Sequence, residues 1–113
     1  MRSVLVVAAA VSAALWSAPA WAGAGNFTLV NGTGRPITAV GIRRVGTDQW
    51  QSLAVAPPAG ARAFVAFADP DCAFDIRASV AGQTIVWAGV NLCDTKSVTL
   101  NRNESGAVWV DYD

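Results

Sequence analysis

Histidine is missing from all 113 residues, and the chain carries a single lysine, Lys96, and a single glutamate, Glu104. These absences remove most familiar catalytic chemistry. A serine nucleophile would find no imidazole to take its proton, a cysteine nucleophile no histidine to hold it as thiolate, and a zinc ion none of its usual nitrogen ligands. Paired aspartates remain as an acid and a base, but nothing in their spacing places two of them across a cleft. The expectation is a protein that is not an enzyme, with no cofactor and no metal. Charge is scarce as well, at 14% of residues and a formal net of zero, and it lacks the clustered basic residues that nucleic-acid binding requires. Long apolar runs are equally few. Val4 to Trp16 is the first, shorter than the roughly 20 residues that span a bilayer, and no second one follows.

What is present begins with that run. Arg2 precedes it and the small-residue pattern Ala20-Trp21-Ala22 follows it, the arrangement of a secretory signal peptide cleaved after Ala22. Residues 1–22 are therefore expected to be a leader and residues 23–113 a single mature domain, periplasmic or secreted. Arg2 is followed by Ser3, so the leader reads as the ordinary secretory kind and not the twin-arginine kind. The first cysteine, Cys72, lies far from the cleavage point, which argues against a lipid anchor there, and no membrane anchor is expected after cleavage. Without Arg2, seven basic residues face eight acidic ones, a net charge close to −1.

Export changes the reading of Cys72 and Cys93. An even pair in an oxidising compartment is most simply a disulfide. It would close a loop of about 20 residues, and loop-closure entropy gives roughly 3 kcal/mol for such a staple.

Turn formers recur at short intervals along the mature chain, with β-branched and aromatic runs of strand length between them. The expected strands are Asn26 to Val30, Pro36 to Val45, Trp50 to Val55, Ala61 to Ala68, Cys72 to Val80, Thr84 to Val90, Ser97 to Asn101 and Val108 to Tyr112. Ala61 to Ala68 is apolar on both faces, which suggests a central strand. Cys72 opposite Cys93 would set Ala78 against Trp87 and Val80 against Ile85, so that Phe74, Ile76, Ala78, Val80, Ile85 and Trp87 share the core face. Asp75, Arg77 and Ser79 then point the other way, beside Val86, Ala88 and Val90. No stretch has helical periodicity. The pattern predicts an all-β domain: a small antiparallel β-sandwich of immunoglobulin-like architecture with about 7–8 short strands and one disulfide. A small β-barrel is the alternative.

Few residues stand out as candidates for function. Asp69, Asp71 and Asp75 have the alternate spacing that opens a calcium loop, but Phe74 and Val80 occupy the positions where such a loop needs glycine and a bidentate acid, so a turn is expected. Asn31-Gly32-Thr33-Gly34 follows a strand as phosphate loops do, yet it leads into another strand and reads as a hairpin turn. Asn26, Asn31 and Asn103 lie in glycosylation sequons, which a chain of bacterial character does not use. Arg43-Arg44 reads as a solvated pair that guards a strand edge. The candidate surface for binding is Asp75, Arg77, Trp50 and Trp109, with Tyr112 a further exposed aromatic.

Motifs through most of the mature chain resemble small exported bacterial proteins of proteobacterial type. They are Asn31-x-Thr33-Gly34, Trp50, Pro58-x-Gly60, Cys72-x-Phe74-Asp75-Ile76-Arg77, Trp87, Val90-Asn91-Leu92-Cys93 and Val98-Thr99-Leu100. In that group an acidic residue often precedes the glycine of the hairpin turn, where this chain has Ala81-Gly82. The resemblance implies a disulfide-linked β domain and supplies no activity. The expected role is that of an exported binding or structural domain, its partner an envelope protein or a glycan. The alternatives are a small periplasmic inhibitor of the lysozyme-inhibitor type and a fibre or pilus subunit.

Overall fold

The computed structural model describes residues 23–113; the expected leader, residues 1–22, lies outside the described residues. Eight strands appear in chain order, one in each expected segment: β1 (Phe27–Gly32), β2 (Ile37–Arg44), β3 (Gln51–Ser52), β4 (Arg62–Val65), β5 (Ala73–Val80), β6 (Gln83–Asn91), β7 (Ser97–Arg102) and β8 (Val108–Tyr112). Among the described residues there is no helix. The strands form two four-stranded sheets, ordered β4-β1-β7-β8 and β3-β2-β5-β6, packed as a β-sandwich.

Alternation builds the core. Leu29, Ile76, Ala78, Val80, Val98 and Leu100 are fully buried, and each sits two residues along its strand from another buried apolar side chain. Phe67 closes one end, its ring edge-on to Phe27 at 6.1 Å and to Phe74 at 5.2 Å. Trp87 ties the sheets together: buried on β6, it donates from Nε1 to the carbonyl of Asn101 on β7, 2.9 Å away. Asn31 is a fully buried polar knot at the end of β1. Its Nδ2 donates to the carbonyls of Arg35 and Pro57 while its Oδ1 accepts from the backbone N–H and the hydroxyl of Thr33, so every side-chain group is satisfied. That sequon is inaccessible in the folded chain.

Cys72 and Cys93 are joined in a disulfide across a sequence separation of 21. The staple belongs to a larger clasp. Ala24 N–H donates to the carbonyls of Asp69 and Asp71, Leu92 N–H donates to the carbonyl of Cys72, and Gly23 lies so close to Asp69 and Pro70 that a Cβ there would collide with backbone.

Four expectations need correction. The sandwich is not wholly antiparallel, because β1 and β7 pair parallel in the centre of the first sheet; they are far apart in sequence, so no tight turn dictates their direction. Second, β4 is an edge strand and not a central one. It spans only Arg62 to Val65, and its apolar Phe64 stands out of the sheet, 64% exposed. Third, the β5/β6 hairpin pairs Val80 with Gln83, Ala78 with Ile85 and Ile76 with Trp87, two residues away from the register inferred from the cysteines. The turn is the reason: Ala81 and Gly82 both take positive φ, 51° and 81°, as a two-residue loop of the mirror-image kind requires. A bulge between Phe74 and Ile76 then absorbs one residue of β6 and turns Val90 inward against Phe74, so Val90 belongs to the core and not to the outer face. Fourth, Arg43 and Arg44 do lie at the end of β2, beyond its pairing with β3, but they are not a free solvated pair: both are bound by carboxylates.

Candidate functional site

On the outer face of the second sheet, cross-strand neighbours assemble a cluster that no single segment announces. Arg43 on β2 pairs with Asp75 on β5, and one step beyond the Ile42 and Gln51 pair the chain places Trp50 beside Arg43. In the next row Gly41 lies between Ser52 and Arg77. Since Gly41 has no side chain, the stem of Arg77 passes over it and its guanidinium reaches Trp50; a Cβ at residue 41 would come within 3.3 Å of Arg77 Nε and 3.6 Å of its Cγ. Trp50 is thus held between two cations, with Arg43 Cζ 4.4 Å and Arg77 Cζ 4.3 Å from its ring. Each such contact contributes about 0.5–1 kcal/mol where exposed and up to about 2 where water is excluded.

Asp75 is the anchor beneath. It is buried, with Oδ2 accepting from Arg43 Nε at 2.9 Å and Oδ1 accepting from the Gly89 N–H at 3.0 Å. Gly89 has positive φ at the β6 bulge, so the carboxylate caps an amide next to the point where the ladder breaks. Both oxygens of Asp75 are engaged within the protein. Its role is to fix Arg43, and through Arg43 one face of Trp50.

The aspartates of the expected turn act elsewhere. Asp69 and Asp71 bracket Arg44, with contacts of 3.1 Å and 3.2 Å, and Asp69 Oδ1 also accepts the Asp71 N–H to shape the turn. Burial pushes the Asp69 carboxyl up, but the Asp71 N–H and the Arg44 guanidinium outweigh it and hold the group below its ordinary 3.8. A folded-state value below the unfolded one means that the stabilisation is complete above 3.8 and is lost as pH falls through the lower folded value. Thermal melting from about pH 6 down to about pH 2 should therefore show the wild type losing its advantage over Asp69→Asn below that point. An advantage that stays constant across the range would rule out Asp69 as the group responsible.

The chain has its architecture in common with a known structure. It is similar in fold to a protein from Eubacterium rectale solved by NMR, with a TM-score of 0.56 over 85% of this chain and 94% of that chain. At 15% identity the likeness concerns the fold alone. No family of known proteins matches the chain, and no curated protein matches it.

Of the four candidate surface residues, the structure brings three together. Trp50, Asp75 and Arg77 share one face. Trp109 is on β8 of the opposite sheet, paired with Asn101 and 45% exposed; Val110 packs against the core, so the strand turns Trp109 outward. Tyr112, also half-exposed on β8, accepts a hydrogen bond from the Asn91 N–H of β6. Sequence reasoning missed Arg43 and Gly41 as members of the cluster. The signal was present in the strand Val40-Gly41-Ile42-Arg43, where Gly41 and Arg43 alternate with two buried apolar residues and so share the outer face.

Proposed function

We propose that the chain is an exported, non-enzymatic binding domain, acting in the periplasm or outside the cell, that recognises a protein of that compartment through the outer face of the β3-β2-β5-β6 sheet. The observation that carries this reading is Trp50 fixed between Arg43 and Arg77 over a buried Asp75. Tryptophan and arginine dominate the energetics of protein recognition, and a cluster already immobilised loses little side-chain entropy on binding. Other features support the same reading. The leader pattern directs the chain outward, and the disulfide suits an oxidising compartment. The aspartates of the acidic cluster, Asp69, Asp71 and Asp75, are each paired with Arg43 or Arg44.

The test is retention of an envelope component by immobilised wild-type protein, followed by titration of that purified component against Trp50→Ala and Trp109→Ala. Trp50→Ala should weaken binding by about tenfold or more, as expected of a central anchor, and Trp109→Ala should leave it near the wild-type value. Equal retention by folded wild type and Trp50→Ala would overturn the proposal, as would no retained component at all. A retained hydrolase whose activity falls on binding would identify the domain as an enzyme inhibitor that uses this face.

A further inference from the structure

Three arginines lie along this part of the second sheet, and their partners differ. Arg43 and Arg44 are bound by carboxylates, whereas Arg77 has no carboxylate partner among the described residues and instead rests on the ring of Trp50. An unpaired arginine is ordinary where its side chain moves freely in solvent. Arg77 does not. It is half-buried on the inner strand β5, and its stem is laid across Gly41. At 4.3 Å the guanidinium is close enough to the ring for face-to-face stacking, an arrangement that occupies its flat face and leaves the N–H donors in its plane.

Beside those donors β2 bulges. Pairing with β5 shifts between Thr38 and Gly41, and Ala39 takes a φ of 50°, a left-handed conformation that alanine rarely adopts. The break contributes to a hollow of about 250 Å³ bounded by Ala39, Gly41, Trp50, Ser52 and Arg77. Backbone held in such a conformation concentrates at ligand sites.

We infer that this hollow is an anion site that takes a single carboxylate, bound by Arg77 with Trp50 behind the guanidinium and the Ser52 side chain at the rim. Charge selects the ligand. Asp75 and the exposed Asp48 both pair with Arg43, so among the described residues Arg77 is the cation of this cluster left without a carboxylate, enough for one; a phosphate group carries about −1.5 to −2 and calls for more. Geometry agrees, since the planar fork of arginine matches the two oxygens of a carboxylate. The inference rests on the proposed binding role of this face and names what the face reads: a carboxylate of a partner protein, either an acidic side chain or a free C-terminus.

The experiment titrates the full exported protein with two pairs of short peptides. One pair differs only in a free or amidated C-terminus, and the other, amidated throughout, carries an internal Glu or Gln. The readouts are the Arg77 Nε–H and Trp50 indole N–H resonances. At least one carboxylate peptide should shift both saturably while its neutral counterpart does not, and the responding pair identifies the source. Arg77→Gln should weaken that binding by about tenfold or more, and Arg77→Lys by less, because a lysine keeps the charge without the fork. Thermal melting confirms that both variants are folded. No saturable shift from either carboxylate, an equal response to inorganic phosphate, or unchanged affinity in Arg77→Gln would overturn the inference. If Arg77→Gln still binds the retained partner while Trp50→Ala does not, the carboxylate site fails and the binding role of the face survives. If neither substitution matters, both fail.

Discussion

Trp87→Ala is expected to cost about 3–5 kcal/mol, a large part of the whole stability of a domain this small. In thermal unfolding followed by circular dichroism, that corresponds to a fall in Tm of roughly 15–30 °C, or to loss of the folded state. The reason is position as much as size. Trp87 fills the space between the sheets, and its indole N–H bonds to the Asn101 carbonyl, so truncation leaves a cavity and breaks a hydrogen bond between the sheets. Trp87→Phe separates the two effects, because it keeps most of the apolar volume and loses the hydrogen bond. Its cost should be about 1–3 kcal/mol, made up of the lost hydrogen bond and a smaller void. A Trp87→Ala variant that melts within a few degrees of wild type would show that the core repacks around the loss.

Opening the disulfide is the second large effect. Reduction, or the double replacement Cys72→Ala with Cys93→Ala, should remove about 3 kcal/mol, the loop-closure entropy for a separation of 21 residues. Chemical denaturation of the oxidised wild type, the reduced wild type and the double variant checks it. The last two should coincide and both should fall below the first. The damage should also be local at first. The amides of Ala24 and Leu92 bond to the stapled segment, so their hydrogen-exchange protection should drop before that of the central strands. A reduced protein as stable as the oxidised one would mean that the clasp around Asp69 to Asp71 holds without its covalent bond.

The strands were legible because turn formers punctuate this chain so regularly. Asn31-Gly32, Gly46, Pro57-Pro58, Asp69-Pro70 and Ala81-Gly82 fall at the ends of apolar runs, and all eight runs became strands. Pairing was harder to read. Taking the cysteines as a ruler for the β5/β6 register failed for two reasons: a bulge near Gly89 inserts one uncounted residue, leaving only a lone glycine as its trace, and beyond it Leu92, not Cys93, stands opposite Cys72. The same slip hid the inward turn of Val90. Apolar composition placed Ala61 to Ala68 in the centre of a sheet, yet Phe64 shows that an edge strand tolerates a large exposed ring. The cluster on the second sheet was half visible. Asp75 and Arg77 followed from alternation along one strand, whereas their meeting with Arg43 and Trp50 depends on which strands lie side by side, and no periodicity encodes that. Trp109 was grouped with them on residue type alone, and its place in the other sheet separates it.

The parallel pairing of β1 with β7 has a consequence for how the chain reaches this structure. Thr28 must find Ser97, and Leu29 must find Val98, before the first sheet has a centre. Nearly the whole chain therefore has to be available before the sandwich can close, and contacts so distant along the sequence make folding slow. Until then Phe27, Leu29 and the apolar face of β5 have nothing to cover them. An emerging chain of this design stays open until its last strands arrive, and a version that stops short of β7 should remain unfolded however well its earlier hairpins are formed.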